Sequence, residues 1–457
     1  MIMNEVIIME NKKLFYKTML AIAIPVALQN LITSSINTID TLMISSLGDV
    51  AVAGVGIANQ FFFFYFMICF GLVTGAAILI AQYWGRRNWE EVRTITQLTV
   101  VIATIIGILF TIIALIFPKQ IIGLIIQDPN VIEEGAIYLR VVSLSYIPSA
   151  ISFVYSMTFR TTGNPKTPLF ATIVSVFFNV FFNYVFIFGV WGFPRLGIAG
   201  AAIGTIIARF AELSTLYFIS RSYNGPLNYS LKELIHPQWH KIKRYSPTIL
   251  PVMINETFWS LGQIMYSVAY ALIGTEATAA VQIVIAVQNL ALVIVRGLSS
   301  SCSVMVGEKV GQDKFEEAQL YAKRFLLISI ITGVLMGALI IISAPYTLML
   351  FKSISQNVYI LAHKSLNMIG IMIVFIALSN IIIVGILRGG GDTGFSMKAE
   401  LFSLWVVGVP LSFFGAAILK LPIHLVVGLA CAENICKVLL GIIRIQSGKW
   451  VRNLTMD

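Results

Sequence analysis

Few side chains in this sequence can do chemistry, and most of those few lie inside long apolar runs. Asp40 stands in Ser34-Ser35-Ile36-Asn37-Thr38-Ile39-Asp40-Thr41, and Glu256 stands in Asn255-Glu256-Thr257-Phe258-Trp259-Ser260. Arg209 and Glu212, Arg296, and Glu433 and Lys437 are the other ionisable groups within such runs. A charge inside hydrocarbon is costly, so each is a functional candidate unless a partner explains it. Glu433 and Lys437 are spaced i, i+4 and Arg209 and Glu212 i, i+3, so each couple can neutralise itself along one helix face. Asp40 and Glu256 have no base at i±3 or i±4. Asp40 shares a face with Asn37, and a carboxylate among amides and hydroxyls can hold a small cation or take a proton. Asn179 and Asn183, again i, i+4, interrupt the apolar run 176–188. Two amides there need partners, either a neighbouring helix or the charge of Asp40. Glu256 has Trp259 one turn on and Gln263 a turn further. An acid beside an aromatic ring suits a flat organic cation, and the plain alternative is a carboxyl hydrogen-bonded inside a bundle.

Other chemistries find no support. There is no Gly-rich Walker loop for nucleotide phosphates and no Gly-x-Ser-x-Gly elbow, and His236 and His240, though spaced i, i+4, lie in the polar linker with Pro237 where a His-Glu-x-x-His motif has its acid. The phosphate-like Arg388-Gly389-Gly390-Gly391-Asp392-Thr393 follows an apolar run, where a helix turn is the simpler account. Cys69, Cys302, Cys431 and Cys436 all lie in apolar stretches without zinc spacing and read as small buried hydrophobes. No catalytic residue, metal site or enzymatic activity is expected.

The elements that hold these residues follow from composition. The chain is 58% hydrophobic and 11% charged, and its mean hydropathy is +0.88. Soluble domains carry about 25% charged residues, so this is an integral membrane protein, all-α. Runs of about 20 apolar residues suit a spanning helix. They predict twelve, near 18–46, 51–82, 94–117, 134–160, 167–190, 197–220, 246–273, 277–307, 321–350, 361–388, 395–419 and 422–446. The aromatic run Phe61–Phe66 covers every side of the second, so part of it must face lipid. The net charge of +10 sits in short loops and does not indicate nucleic-acid binding.

The chain also repeats itself. A shift of 226 positions carries Pro25-Val26 onto Pro251-Val252, Gly48 onto Gly274, Gly71 onto Gly297, Gly85 onto Gly311 and Glu90-Glu91 onto Glu316-Glu317. Further on, a shift of 228 carries Arg160 onto Arg388, Gly163 onto Gly391, Pro194 onto Pro422, Gly200 onto Gly428 and Arg209 onto Lys437. Coinciding glycines and prolines report a repeated backbone geometry. The reading is two six-helix lobes, residues 1–222 and 246–457, joined by a polar linker, 223–245, with Asn224-Gly225-Pro226 as a breaker. Lys and Arg crowd the loops on the side of both termini and the linker. The opposite loops hold Lys119, Arg195, Lys352, Lys364 and Lys420. Both termini are therefore expected in the cytoplasm. Six helices return the chain to its starting side, so the two lobes are expected to be related by a pseudo-twofold axis along the membrane normal.

Taken together, the stretch with Pro25, Gln29, Asp40-Thr41 and Leu47-Gly48, the helix end Gln82-Tyr83-Trp84-Gly85, and Leu387-Arg388-Gly389 with Gly391-Asp392-Thr393 resemble the multidrug and toxic compound extrusion (MATE) family. The likeness extends over nearly the whole chain. It implies a secondary antiporter in the cell membrane that exports organic cations and amphipathic compounds in exchange for Na⁺ or H⁺, without another cofactor. It implies that Asp40, Asn179, Asn183 and Thr205 form a first-lobe cation cluster, with Asn37 beside it. It implies Glu256 as the acid of a second-lobe site, to which residue type and spacing add Trp259 and Gln263 and, on helix 12, Glu433. The chain departs from the family in having Asn183 where some members have an acid, and Ala377 where NorM-like members have an Asp. Coupling by Na⁺ or by H⁺ is left open. The alternatives are a lipid-linked saccharide flippase of the same superfamily, which would need basic residues in its cavity, and a non-transporting membrane sensor. A monomer in contact with lipid and small-molecule substrates is expected.

Overall fold

The computed structural model describes residues 2–222, 225, 227, 237–349 and 355–456, without the side chains of 2–12 and 37. Asn37's side chain and most of the first part of the linker, including Asn224 and Pro226, thus lie outside the described residues. Among the described residues twelve long helices follow one another: α1 Ile2–Ser45, α2 Asp49–Gly85, α3 Trp89–Ile116, α4 Pro129–Thr161, α5 Lys166–Phe188, α6 Gly197–Ser222, α7 Ile242–Ala271, α8 Thr275–Gly311, α9 Phe315–Met349, α10 Gln356–Arg388, α11 Thr393–Ile418 and α12 Ile423–Gln446. Each coincides with one expected run.

The starts are set by local chemistry. Asn88 Oδ1 accepts the Glu91 amide at 3.1 Å before α3, and Asp128 Oδ1 accepts the Asn130 amide at 2.9 Å before α4, where Pro129 fits the first turn. Ser355 Oγ accepts the Val358 amide before α10. Eleven of the twelve are long and apolar enough to cross a membrane. The other, α7, carries Asn255, Glu256 and Gln263 in its middle, which dilutes its hydropathy. Its outward stripe is nonetheless apolar: Leu250, Ile254, Phe258, Leu261, Ile264, Val268 and Leu272 are all exposed at helical spacing. Similar stripes run along α3 (Ile105, Leu109, Ile112, Ile116) and α9 (Leu327, Ile331, Val334, Ile342). Exposed apolar ridges with internally satisfied backbone are what a bilayer demands. On α2, Phe63 and Phe64 face outward, while Phe61 and Tyr65 pack on Phe110 and Tyr146.

The helices condense into two compact units whose borders are not those of the repeats. One comprises residues 28–80 and 88–253, and the other 1–27, 81–87 and 254–457. The first has a core around Tyr65, Leu72, Val100, Leu139, Tyr146 and Phe159. It takes in the start of α7, and Lys241 and Tyr245 at the end of the linker both bind the Glu91 carboxylate. The second unit has two cores, one about Tyr266, Ile369 and Leu404, the other about Phe15, Val306 and Ile386. Here the start of α1 packs with α9, Phe15 lying edge-on to Tyr321 and Phe325. The backbone past α12 folds back as a strap. Trp450 is buried, the Arg452 amide donates to the Gly390 carbonyl at 2.7 Å, and the Gln82 side chain binds the backbone of Arg452 and Leu454. The Arg388–Thr393 turn is filled by this strap, with Asp392 paired to Arg444 and Arg452.

Candidate functional site

In the first unit Asp40, Asn179, Asn183 and Thr205 lie together across α1, α5 and α6. Asn183 Nδ2 donates to Asp40 Oδ1 at 2.8 Å and lies 3.5 Å from Asn179 Oδ1. Asn179 Nδ2 lies 3.5 Å from Thr205 Oγ1, whose hydroxyl donates to the Ala201 carbonyl. The two asparagines share a face because they are one turn apart, and both are buried. Gly204 makes their placement possible, since a methyl group there would overlap Asn183 Oδ1. That same Oδ1 is buried with no hydrogen-bond partner. A buried acceptor beside a carboxylate is an open ligand position for a cation or a proton donor.

Nearby on α6, Arg209 Nη1 meets Glu212 Oε2 at 2.9 Å, the local pairing that their spacing suggested. Arg160, at the end of α4, donates to Gln29 Oε1 at 2.5 Å, and Gln29 in turn donates to Thr172 at 2.8 Å.

In the second unit Glu256 is not the uncompensated acid that its own helix suggested. Its Oε1 pairs with Arg388 Nη1 at 2.6 Å. Arg388 also reaches Glu400 Oε2 at 3.0 Å and Ser396 Oγ at 3.3 Å. Glu400 accepts from Asn255 at 2.7 Å and lies 3.6 Å from Lys437 Nζ, which pairs with Glu433 at 3.2 Å. Glu433 Oε2 accepts from the Tyr266 hydroxyl at 2.9 Å, and Tyr266 fits because Gly408 leaves room for that oxygen. Three carboxylates and two bases thus form one chain over α7, α10, α11 and α12, all buried but Glu400, which is half-buried. Arg388 is turned inward by the π-helical end of α10, residues Ile381–Arg388. Glu256 and Glu433 belong to this network, as expected together. Trp259 packs against the apolar core around Tyr266 instead, and Gln263 is half-buried a turn further on.

Arg388, Glu400, Asn255 and Arg160 were missed as site residues. Their partners lie on other helices, where spacing along one helix is blind. The repeat held the signal. The shifts that superpose the halves carry Arg160 onto Arg388, Gln29 onto Asn255 and Thr172 onto Glu400. The triad Arg160–Gln29–Thr172 is therefore the same joint as Arg388–Asn255–Glu400, with acids added in the second half.

A twelve-helix chain with apolar outer ridges and charged clusters buried among its helices is a multi-span membrane protein of the transporter class. A family model described as MatE matches residues 25–185 and 251–414, and the chain belongs to that family. The two matched segments fall one in each repeat. A Thermotoga maritima protein named "Probable multidrug resistance protein NorM" is 27% identical over 96% of this chain and 94% of its own length. A Bacillus subtilis protein named "Probable multidrug resistance protein YoeA" is 26% identical over 91% of this chain and 90% of its own. The Vibrio cholerae MATE transporter VcmN, solved as a mutant, superposes with a TM-score of 0.87 at 19% identity, covering 97% of this chain and 98% of that one. A MOP superfamily transporter from Pyrococcus furiosus gives 0.84 at 19% identity over 95% and 96%. These structural likenesses show the shared fold.

Proposed function

We propose that the protein is a multidrug exporter of the cell membrane, with both termini in the cytoplasm. It works as a monomeric secondary antiporter that moves organic cations and other amphipathic compounds out in exchange for Na⁺ or H⁺. The observation that carries this reading is the buried Asp40–Asn183–Asn179–Thr205 chain with the unpartnered Asn183 oxygen. It joins one negative charge to neutral oxygens, as binding and release of a monovalent cation require. The names of the Thermotoga and Bacillus relatives support export of drugs as its task. A ligand drives a conformational change only as far as it binds one state better than the other. Asp40 supplies that difference if its oxygens are complete in one state and open in the other.

In the second unit, Glu256 and Glu433 contribute negative charge to a chain of three acids and two bases, which favours a cationic substrate or coupling ion there. A saccharide flippase needs free bases for pyrophosphate. Of the three candidate bases, Arg209 and Lys437 are engaged with acids, which weighs against that reading. The test is efflux of a fluorescent organic cation from proteoliposomes under imposed Na⁺ or H⁺ gradients. Asp40→Asn is expected to abolish gradient-driven efflux in a folded protein. Wild-type rates in that variant would refute the reading.

A further inference from the structure

We propose that Arg209 is a tethered counter-ion of the Asp40 cluster: its guanidinium exchanges between Glu212 and Asp40, and on Asp40 it takes the place of the coupling cation. This rests on the reading of Asp40 as the coupling site and adds the group that competes there.

The placement comes first. Thr205 and Arg209 are one turn apart on α6 and share a face, and Thr205 is the last link of the chain from Asp40. Arg209 now pairs with Glu212 at 2.9 Å, one turn along α6 from the Thr205 end of the Asp40 chain. Its side chain is 34% exposed, so its long stem has room to move. Arg160, half-buried at the end of α4, is a second base of this unit whose buried Nε has no hydrogen-bond partner.

The repeat supplies an independent observation. The shift of 228 carries Thr205 onto Glu433 and Arg209 onto Lys437, and the shift of 226 carries Asp40 onto Tyr266. In the second unit Lys437 pairs with Glu433 at 3.2 Å, and Glu433 accepts from Tyr266 at 2.9 Å. A base at this position therefore reaches the polar group one turn before it, and that group touches the neighbour at the Asp40 position. The first unit has the same frame with the acid moved from α12's counterpart to α1.

Charge balance gives the exchange a purpose. Asp40, Glu212, Arg160 and Arg209 sum to zero when all are ionised. A carrier that returns without its coupling ion would leave Asp40 bare inside the membrane, which is costly. Arg209 on Asp40 removes that cost, and the arriving cation sends Arg209 back to Glu212. The ligand class it competes with is a monovalent cation, Na⁺ or H⁺.

The experiment uses the full-length protein in detergent with tetraphenylphosphonium as the probe, displaced by NaCl at fixed pH or by acid without Na⁺. Arg209→Gln is expected to lower the Na⁺ or H⁺ concentration for half-displacement about tenfold. Arg209→Lys is expected to restore most of the wild-type value. Glu212→Gln frees Arg209 for Asp40 and is expected to raise that concentration. No shift in a folded Arg209→Gln together with a wild-type value in Glu212→Gln would overturn the proposal while Asp40→Asn still abolishes the cation dependence. If Asp40→Asn keeps that dependence, the coupling site lies elsewhere and the proposal falls with it.

Discussion

At the scale of single residues, the buried charges differ in what they tolerate. Arg388 holds Glu256 and Glu400 together; Arg388 and Glu256 are buried and Glu400 is nearly so. Removing one partner of such a set costs about 3–5 kcal/mol, because the others remain buried without it. Arg388→Leu is expected to lose stability on that scale, read as a lower unfolding temperature of the detergent-solubilised protein. Glu256→Gln keeps an oxygen for Arg388 and drops one of three negative charges, so it is expected to fold normally. Its effect should appear in substrate affinity and in Na⁺ or H⁺ dependence in reconstituted vesicles. If neither changes, Glu256 is purely structural. Asp40 was legible in the sequence because an acid without a local partner stands out in an apolar run. The pairing of Glu256 was not legible, since Arg388 is 132 positions away and lies at a helix end that reads as a turn.

At the scale of elements, the close approach of α5 and α6 decides whether the Asp40 cluster exists. Gly204 is the position where that approach admits the Asn183 side chain. Gly204→Ala should push Asn183 off Asp40 and weaken cation dependence at least tenfold, with a smaller loss of stability than a core cavity causes. Normal cation dependence in Gly204→Ala would show that Asn183 is dispensable. The helices themselves were readable from run length alone, including α7, whose polar middle lowers its hydropathy but whose outer stripe stays apolar. The π-helical segments Ile381–Arg388 and Ser403–Gly408 were not readable. An extra residue in a turn leaves no mark on apolar spacing in helices that are hydrophobic on most faces.

At the scale of the whole molecule, the twofold repetition of sequence is real, yet the packed units do not stop where the repeats stop. The start of α7 belongs with the first six expected spans, and the start of α1 with the last six. The boundary at 222–246 marks the repeat unit of sequence, while packing is decided by which apolar faces meet. The strap after α12 carries this furthest, because residues 450–455 bind Gln82 and Arg86 near the end of α2. A chain cut after Lys449 is expected to be cleaved by trypsin at Arg86-Arg87 faster than the full chain, and equal rates would show that the strap protects nothing. The order of synthesis follows from the same arrangement. The unit built from 28–80 and 88–253 has all its residues once little more than half the chain has left the ribosome. The other cannot seat residues 13–27 until α8 and α9 have followed, since Phe15 packs on Tyr321 and Phe325 and Gly297 lies against Ala23. A translocation machinery that released that segment before then would leave it nothing of its own unit to dock against.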